Sequence, residues 1–198
     1  GRTMTIGGEV VAGPGGSLSL TAGTIAIQQI GSIILPVIKA DGEAVLTADS
    51  IVQTAGLINA GSVRMTGTNS ISITDGRVIA VGGVEEDGFI SLTGSNVSVS
   101  GVGIVATLNN ATDIFVDGNL AVSGNAYVGS NGGLAVSGLL TQSSGYVITV
   151  GNAVVGGVSQ SGGLFSIGGN LDVGEGFDGN AQRFALASVS GIGSNGVI

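Results

Sequence analysis

The sequence predicts an all-β fold: a single-domain, right-handed parallel β-helix (β-solenoid) filling residues 1–198, with about nine coils of roughly 20 or more residues. Three observations predict it. Val, Ile, Leu and Ala dominate a chain that is 43% hydrophobic yet only 9% charged. Glycine occurs 39 times in 198 residues without any Gly-X-Y period. Short alternating segments return along the chain at a loose interval of one coil.

Composition narrows the class before any motif is read. Val and Ile favour strands, and glycine provides the positive-φ corners of tight turns between them. With so few charges, Ser, Thr, Asn and Gly must form most of the polar exterior. The chain carries five basic and 13 acidic residues, a net charge of −8. Arg2, Lys39, Arg64, Arg77 and Arg183 stand singly, so no basic stripe can form for nucleic acid or an anionic membrane surface. There is no Cys and no His, which removes disulfides, the usual zinc sites and Ser-His-Asp catalysis. The run Ile33–Ile38 contains a proline and is far short of the ~20 residues of a membrane helix; no membrane insertion is expected.

The repeat begins at residues 16–27, GSLSLTAGTIAI, where an alternating strand ends in Leu20, is followed by Thr21 and a turn, and restarts. Aligned on the hydroxyl residue after the strand, the copies are Thr21, Thr47, Thr66, Thr93, Ser123 and Ser137. A second marker, Gly-Asn before a strand, recurs at Gly118-Asn119, Gly151-Asn152 and Gly169-Asn170. A unit of this length cannot bury its apolar side alone and must stack on its neighbours. Segments such as residues 17–20, 71–73, 97–99, 114–116 and 120–122 alternate over three to five positions and are punctuated by DG, NGG or SGG. Two or three such strands fill one β-helix coil, whereas a propeller blade needs roughly forty residues. Leu18, Leu20, Ile25 and Ile27 are expected inside, stacked at the ~4.8 Å strand spacing, with Ser and Thr outside.

GSLSLTAGTIAI, residues 44–73 (AVLTADSIVQTAGLINAGSVRMTGTNSISI) and residues 88–101 (GFISLTGSNVSVSG) resemble the repeats of filamentous-haemagglutinin-type exoproteins. These are β-helical adhesins and fibres that bacteria export by two-partner secretion. The resemblance covers roughly residues 16–150 and implies an extracellular, cell-surface rod. The NPNG-type motif of that family's secretion domain is absent from this sequence, so the chain reads as an internal stretch of such a protein or as a mature product.

Candidate sites are sparse, and no catalytic or metal-binding residue is assigned. Glu85-Glu86-Asp87 could supply oxygen ligands to Ca²⁺, but a solvated turn is the stronger reading. Residues 174–178 (GEGFD) match the core of the calcium-binding nonapeptide, yet a single copy cannot build a shared stack. Asp172, Glu175 and Asp178 are therefore read as an acidic loop; no cofactor is expected, with an isolated Ca²⁺ as the weaker alternative. Asp113 and Asp117 lie four apart in one strand, ~13 Å, too far for a glycosidase pair. Thr3 and Thr5 show the Thr-x-Thr spacing of an ice-binding face, but the hydroxyl column holds one residue per coil and no paired rank. The glycine-rich residues 156–169 lack the Lys-Ser/Thr of a phosphate loop.

Residues 180–188 (NAQRFALAS) are the expected start of a capping segment over 180–198. The function expected is that of a non-enzymatic extracellular fibre subunit or adhesin segment. Its partners would be other copies stacked end to end, or glycans met by a side face or by loops such as residues 30–42 and 84–88. A carbohydrate-binding or carbohydrate-active β-helix is the alternative, marked by carboxylates and aromatics gathered in a groove from several coils. An ice-binding solenoid is the third.

Overall fold

The computed structural model describes residues 1–31, 35–83 and 87–174 and the strand 184–185. These residues form a parallel β-solenoid of about eight turns, with no helix among them. Each coil crosses three faces in a fixed order. The first coil shows the scheme with β1 (Thr3–Ile6), β2 (Glu9–Val11) and β3 (Leu18–Thr21) on faces one, two and three. Chain travel then returns to face one as β4 (Thr24–Ile27), which pairs in parallel with β1.

Strand lengths depart from the expected three to five residues. β5 (Val37–Gln53) and β6 (Leu57–Ile73) each run 17 residues through faces two, three and one without leaving the ladder. They bend at register shifts between Ala40 and Glu43 and between Ala48 and Ser50. A β-bulge bends a strand in this way while the hydrogen bonding resumes on either side. The remaining coils repeat the path in shorter pieces: β7 (Arg77–Ala80), β8 (Gly88–Val99), β9 (Ile104–Thr107), β10 (Ala111–Val122) and β11 (Tyr127–Ser130). They continue with β12 (Leu134–Gln142), β13 (Tyr146–Thr149), β14 (Ala153–Gln160), β15 (Leu164–Ile167) and β16 (Leu171–Val173).

On face one, successive coils begin at residues 3, 24, 50, 70, 96, 119, 139 and 157. Eight complete coils thus occupy residues 3–173, against the nine expected. Corner loops lengthen several coils, so the described chain holds fewer turns than a bare twenty-residue unit would give. β17 (Phe184–Ala185) pairs beside β14; otherwise the expected cap at 180–198 lies outside the described residues.

Every face contributes two inward side chains per coil. Ile51, Ile71 and Val97 stack on face one, Ile38, Ile58 and Val78 on face two, and Leu46, Met65 and Leu92 on face three, all essentially without exposure. Ile25 and Ile27 are fully buried as expected, whereas Leu18 and Leu20 of the first coil are only partly buried. Interior polar groups are placed where corners need donors. Gln53 and Gln142 are buried, and each Nε2 donates to the carbonyl of the turn glycine three residues on, Gly56 or Gly145. The same Nε2 donates to a face-two carbonyl of the next coil, Arg77 at 3.2 Å or Leu164 at 3.0 Å. Gly56 and Gly145 have φ of 82° and 76°, a region that glycine alone enters freely.

The hydroxyl column is corrected in its later members. Thr21, Thr47, Thr66 and Thr93 do stand in register at the exit of face three. The next member is Asp117, opposite Thr93, followed by Ser137, whose Oγ donates to Asp117 Oδ1 at 3.0 Å. Ser123 belongs to another corner, at the end of face one, where its N–H donates to the carbonyl of Val99. The Gly-Asn marker is likewise two corners. Gly151-Asn152 and Gly169-Asn170 precede face three, whereas Gly118-Asn119 leads into face one. What the asparagines share is a bond to the next coil: Asn152 Oδ1 accepts from Asn170 N–H and Asn119 Oδ1 from Leu139 N–H, both at 2.9 Å.

Candidate functional site: the groove beside face three

A continuous groove follows the corner between faces two and three. Its two parts have volumes of about 720 and 310 Å³ and meet at Asp41 and Gly83. The larger part is of mixed character, with Lys39, Asn59, Asn109 and Asn110 beside Ala40 and Val81. The smaller part runs onto face three past Glu43, Ser62, Arg64, Asp87 and Phe89.

Coil stacking creates this neighbourhood. Glu43, Arg64, Phe89 and Phe115 sit on four successive coils, each separated from the next by about one turn of sequence. Ser62 Oγ accepts from the Phe89 N–H at 3.2 Å and fixes the entry of β8. Arg64 Nε donates to Glu43 Oε1 at 3.1 Å, and its guanidinium lies 5.2 Å from the centre of the Phe89 ring. Phe89 in turn meets Phe115 edge to face, with centroids 6.4 Å apart. Phe115 is 45% exposed, so an apolar ring edge continues the groove on the outside of face three. Contacts of this kind contribute about 0.5–1 kcal/mol for an exposed cation–π pair and at most ~1 kcal/mol for an exposed ion pair. The ladder therefore orients these groups more than it stabilises the fold.

The opposite wall is set by backbone conformation. Asn109 has φ 56°, the one non-glycine residue in the left-handed region among those described. Asn110 Nδ2 donates to the Gly83 carbonyl at 3.0 Å, tying this corner to the coil before it. Across the groove, Asp41 Oδ2 accepts from the Gly15 N–H at 3.0 Å. Side-chain amides, carboxylates and a lysine thus line one trough, with both donors and acceptors available.

Asp113 and Asp117 do not face each other. Asp113 Oδ1 accepts from the Gly133 N–H and Asp117 from Ser137, so each caps a neighbouring coil. Glu85, Glu86, Glu175 and Asp178 lie outside the described residues; Asp87 lines the groove and Asp172 faces outward beside Val154. Among the described residues no three acidic groups converge as metal ligands would. Of the loop at residues 30–42, Asp41 and Gly42 line the groove. The Arg64–Phe89–Phe115 ladder went unread in the sequence, because only the coil register brings these positions together.

No family model matches the chain, and no curated protein or solved structure shows significant similarity to it.

Proposed function

We propose that this chain is a non-catalytic, extracellular β-solenoid of the filamentous-haemagglutinin type, working as a rod in a bacterial surface fibre or adhesin. The observation that carries the reading is the eight-coil parallel ladder with an open first coil. β1, β2 and β3 each pair on one side only among the described residues. The inward Met4, Val10, Leu18 and Leu20 beneath them are only partly buried. A coil whose strands pair on one side only can accept a further parallel β-coil, from a longer stretch of the same rod or from a second copy, and a heterologous contact that does not close builds filaments.

Electron microscopy of the purified chain over a concentration series tests this. Uniformly narrow rods that lengthen into filaments are expected, with Leu18→Asp/Leu20→Asp abolishing the lengthening. Globular particles would overturn the rod, and single rods at every concentration would overturn end-to-end assembly.

A second reading is favoured by one observation, the groove that gathers carboxylates, an arginine and Phe89 from three coils, with Phe115 of the next coil edge to face against Phe89. Sugar hydroxyls suit the amide and carboxylate wall, and the apolar face of a sugar ring suits Phe89 and Phe115. On this reading the rod holds an oligosaccharide along its side. Binding to a glycan array, lost in Phe115→Ala and Arg64→Ala while the circular dichroism spectrum is retained, supports it. Unchanged binding in both variants would refute this site.

A further inference from the structure

Face one differs from the other two in what it shows to solvent. Its outward positions form columns at the first and third residues of each strand, extended by the corner residue two further on. In the middle of the rod, Ser70, Ser72 and Thr74 lie beside Asn96, Ser98 and Ser100 of the next coil. Over the eight coils these positions hold only Ser, Thr, Asn, Gln, Ala, Val, Leu or Gly. None is charged, in a chain of 13 acidic and five basic residues. Face two, by contrast, shows Lys39 and Arg77, and face three shows Glu43, Arg64 and Asp172.

The columns also form a lattice. From β1 to β14, every register shift falls at a corner and none within face one. The surface groups therefore repeat at ~4.8 Å between coils and at roughly 6.7 Å between alternate residues of a strand, along roughly 34 Å of rod. The repeat is stiff, because each face-one strand from β4 to the last residues of β14 is hydrogen-bonded to a strand on both sides. Hydroxyl pairs at alternate positions are far more frequent than Thr3 and Thr5 alone. Ser70/Ser72, Ser98/Ser100, Thr141/Ser143 and Ser159/Ser161 all share the spacing.

We propose that face one is an ice-binding face. Fixed hydroxyls anchor a first layer of water by hydrogen bonds whose immobilisation cost is small, and that layer inherits both repeats of the sheet. The methyl groups of Thr, Ala and Val between them offer no competing donor or acceptor. A charged side chain would reorient the surrounding water and project past the plane, and this face has none.

The test freezes a solution of the full chain slowly onto a cold surface and measures protein in ice and in the remaining liquid. The wild-type chain is expected to enter the ice, and Ser72→Arg/Ser98→Arg to be rejected as an ordinary solute is. Ala135→Arg, outward on face three, is expected to enter as the wild type does. All three should keep the same circular dichroism spectrum. Thr141→Arg, on a different coil of face one, should repeat the loss and guards against one misfolded variant. Rejection of the wild-type chain, or equal loss in Ala135→Arg, would overturn the proposal.

Discussion

Ile71 and Ser72 are neighbours in sequence with opposite fates, which makes them a sharp test of the inward–outward alternation. Ile71 is fully buried on face one between Ile51 and Val97 of the adjoining coils. Ile71→Ala removes three carbons, each contributing about 0.8 kcal/mol when buried. A cavity remains as well, since coils locked into two ladders cannot close over it, and the loss then falls at about 3–4 kcal/mol within the range for such truncations. For a chain of this size each kcal/mol lowers Tm by about 2–4 °C, so a drop of roughly 6–16 °C is expected. Ser72→Ala should stay within about 0.5 kcal/mol of wild type. Urea unfolding followed by circular dichroism gives both values. The reasoning fails if Ser72→Ala costs as much as Ile71→Ala, or if Ile71→Ala costs less than about 1 kcal/mol.

Position along the rod should matter as well as facing: Leu46→Ala, in the second coil, is expected to cost more than Leu20→Ala, in the open first coil, because Leu46 is fully buried and Leu20 only partly; paired urea titrations give the difference. Gly56→Ala should destabilise by about 1–3 kcal/mol, since φ is 82° and an added Cβ would run into the Pro36 carbonyl; thermal unfolding reads this. Gln142→Ala removes two part-buried hydrogen bonds, to the carbonyls of Gly145 and Leu164, while Gly145 keeps the Leu164 N–H; it should cost about 0.5–1.5 kcal/mol per lost bond, whereas the exposed Gln28→Ala should be near neutral. Arg64→Ala should cost no more than about 1–2 kcal/mol, the sum of an exposed ion pair and a cation–π contact, in the same assay.

The fold was legible because one physical rule acts at every coil. Residues such as Ile25, Ile27 and Leu46 must alternate with small polar ones if each strand buries a single side. The Thr21, Thr47, Thr66 and Thr93 column was readable for the same reason. It broke at Ser123 because two corners use the same letters: residues 122–124 and 136–138 both read Val-Ser-Gly. One stands at the end of face one and the other at the end of face three. The true successor of Thr93 is Asp117, whose carboxylate accepts the Ser137 hydroxyl, and residue type alone does not announce that exchange.

The groove was less legible still. Glu43, Arg64, Phe89 and Phe115 are separated by coils of unequal length, so their side-by-side placement depends on bulges and corner insertions rather than on any spacing. The uncharged lattice of face one was hidden by the same register error. Its polar groups are divided between the hydroxyls of Ser and Thr and the amides of Asn, and they align only when each coil is indexed on its own first residue.

Coil register underlies the groove, the lattice and the rod alike, and pairwise crosslinking measures it directly. The chain has no cysteine, so two introduced thiols stand on a clean background. Thr93→Cys/Asp117→Cys places them opposite each other on adjoining coils, whereas Thr93→Cys/Ser123→Cys places the second at the far end of face one. A short bifunctional thiol reagent should join the first pair rapidly within single chains and leave the second pair open. Efficient joining of Thr93→Cys/Ser123→Cys, with none for Thr93→Cys/Asp117→Cys, would contradict the stacking on which every assignment above depends.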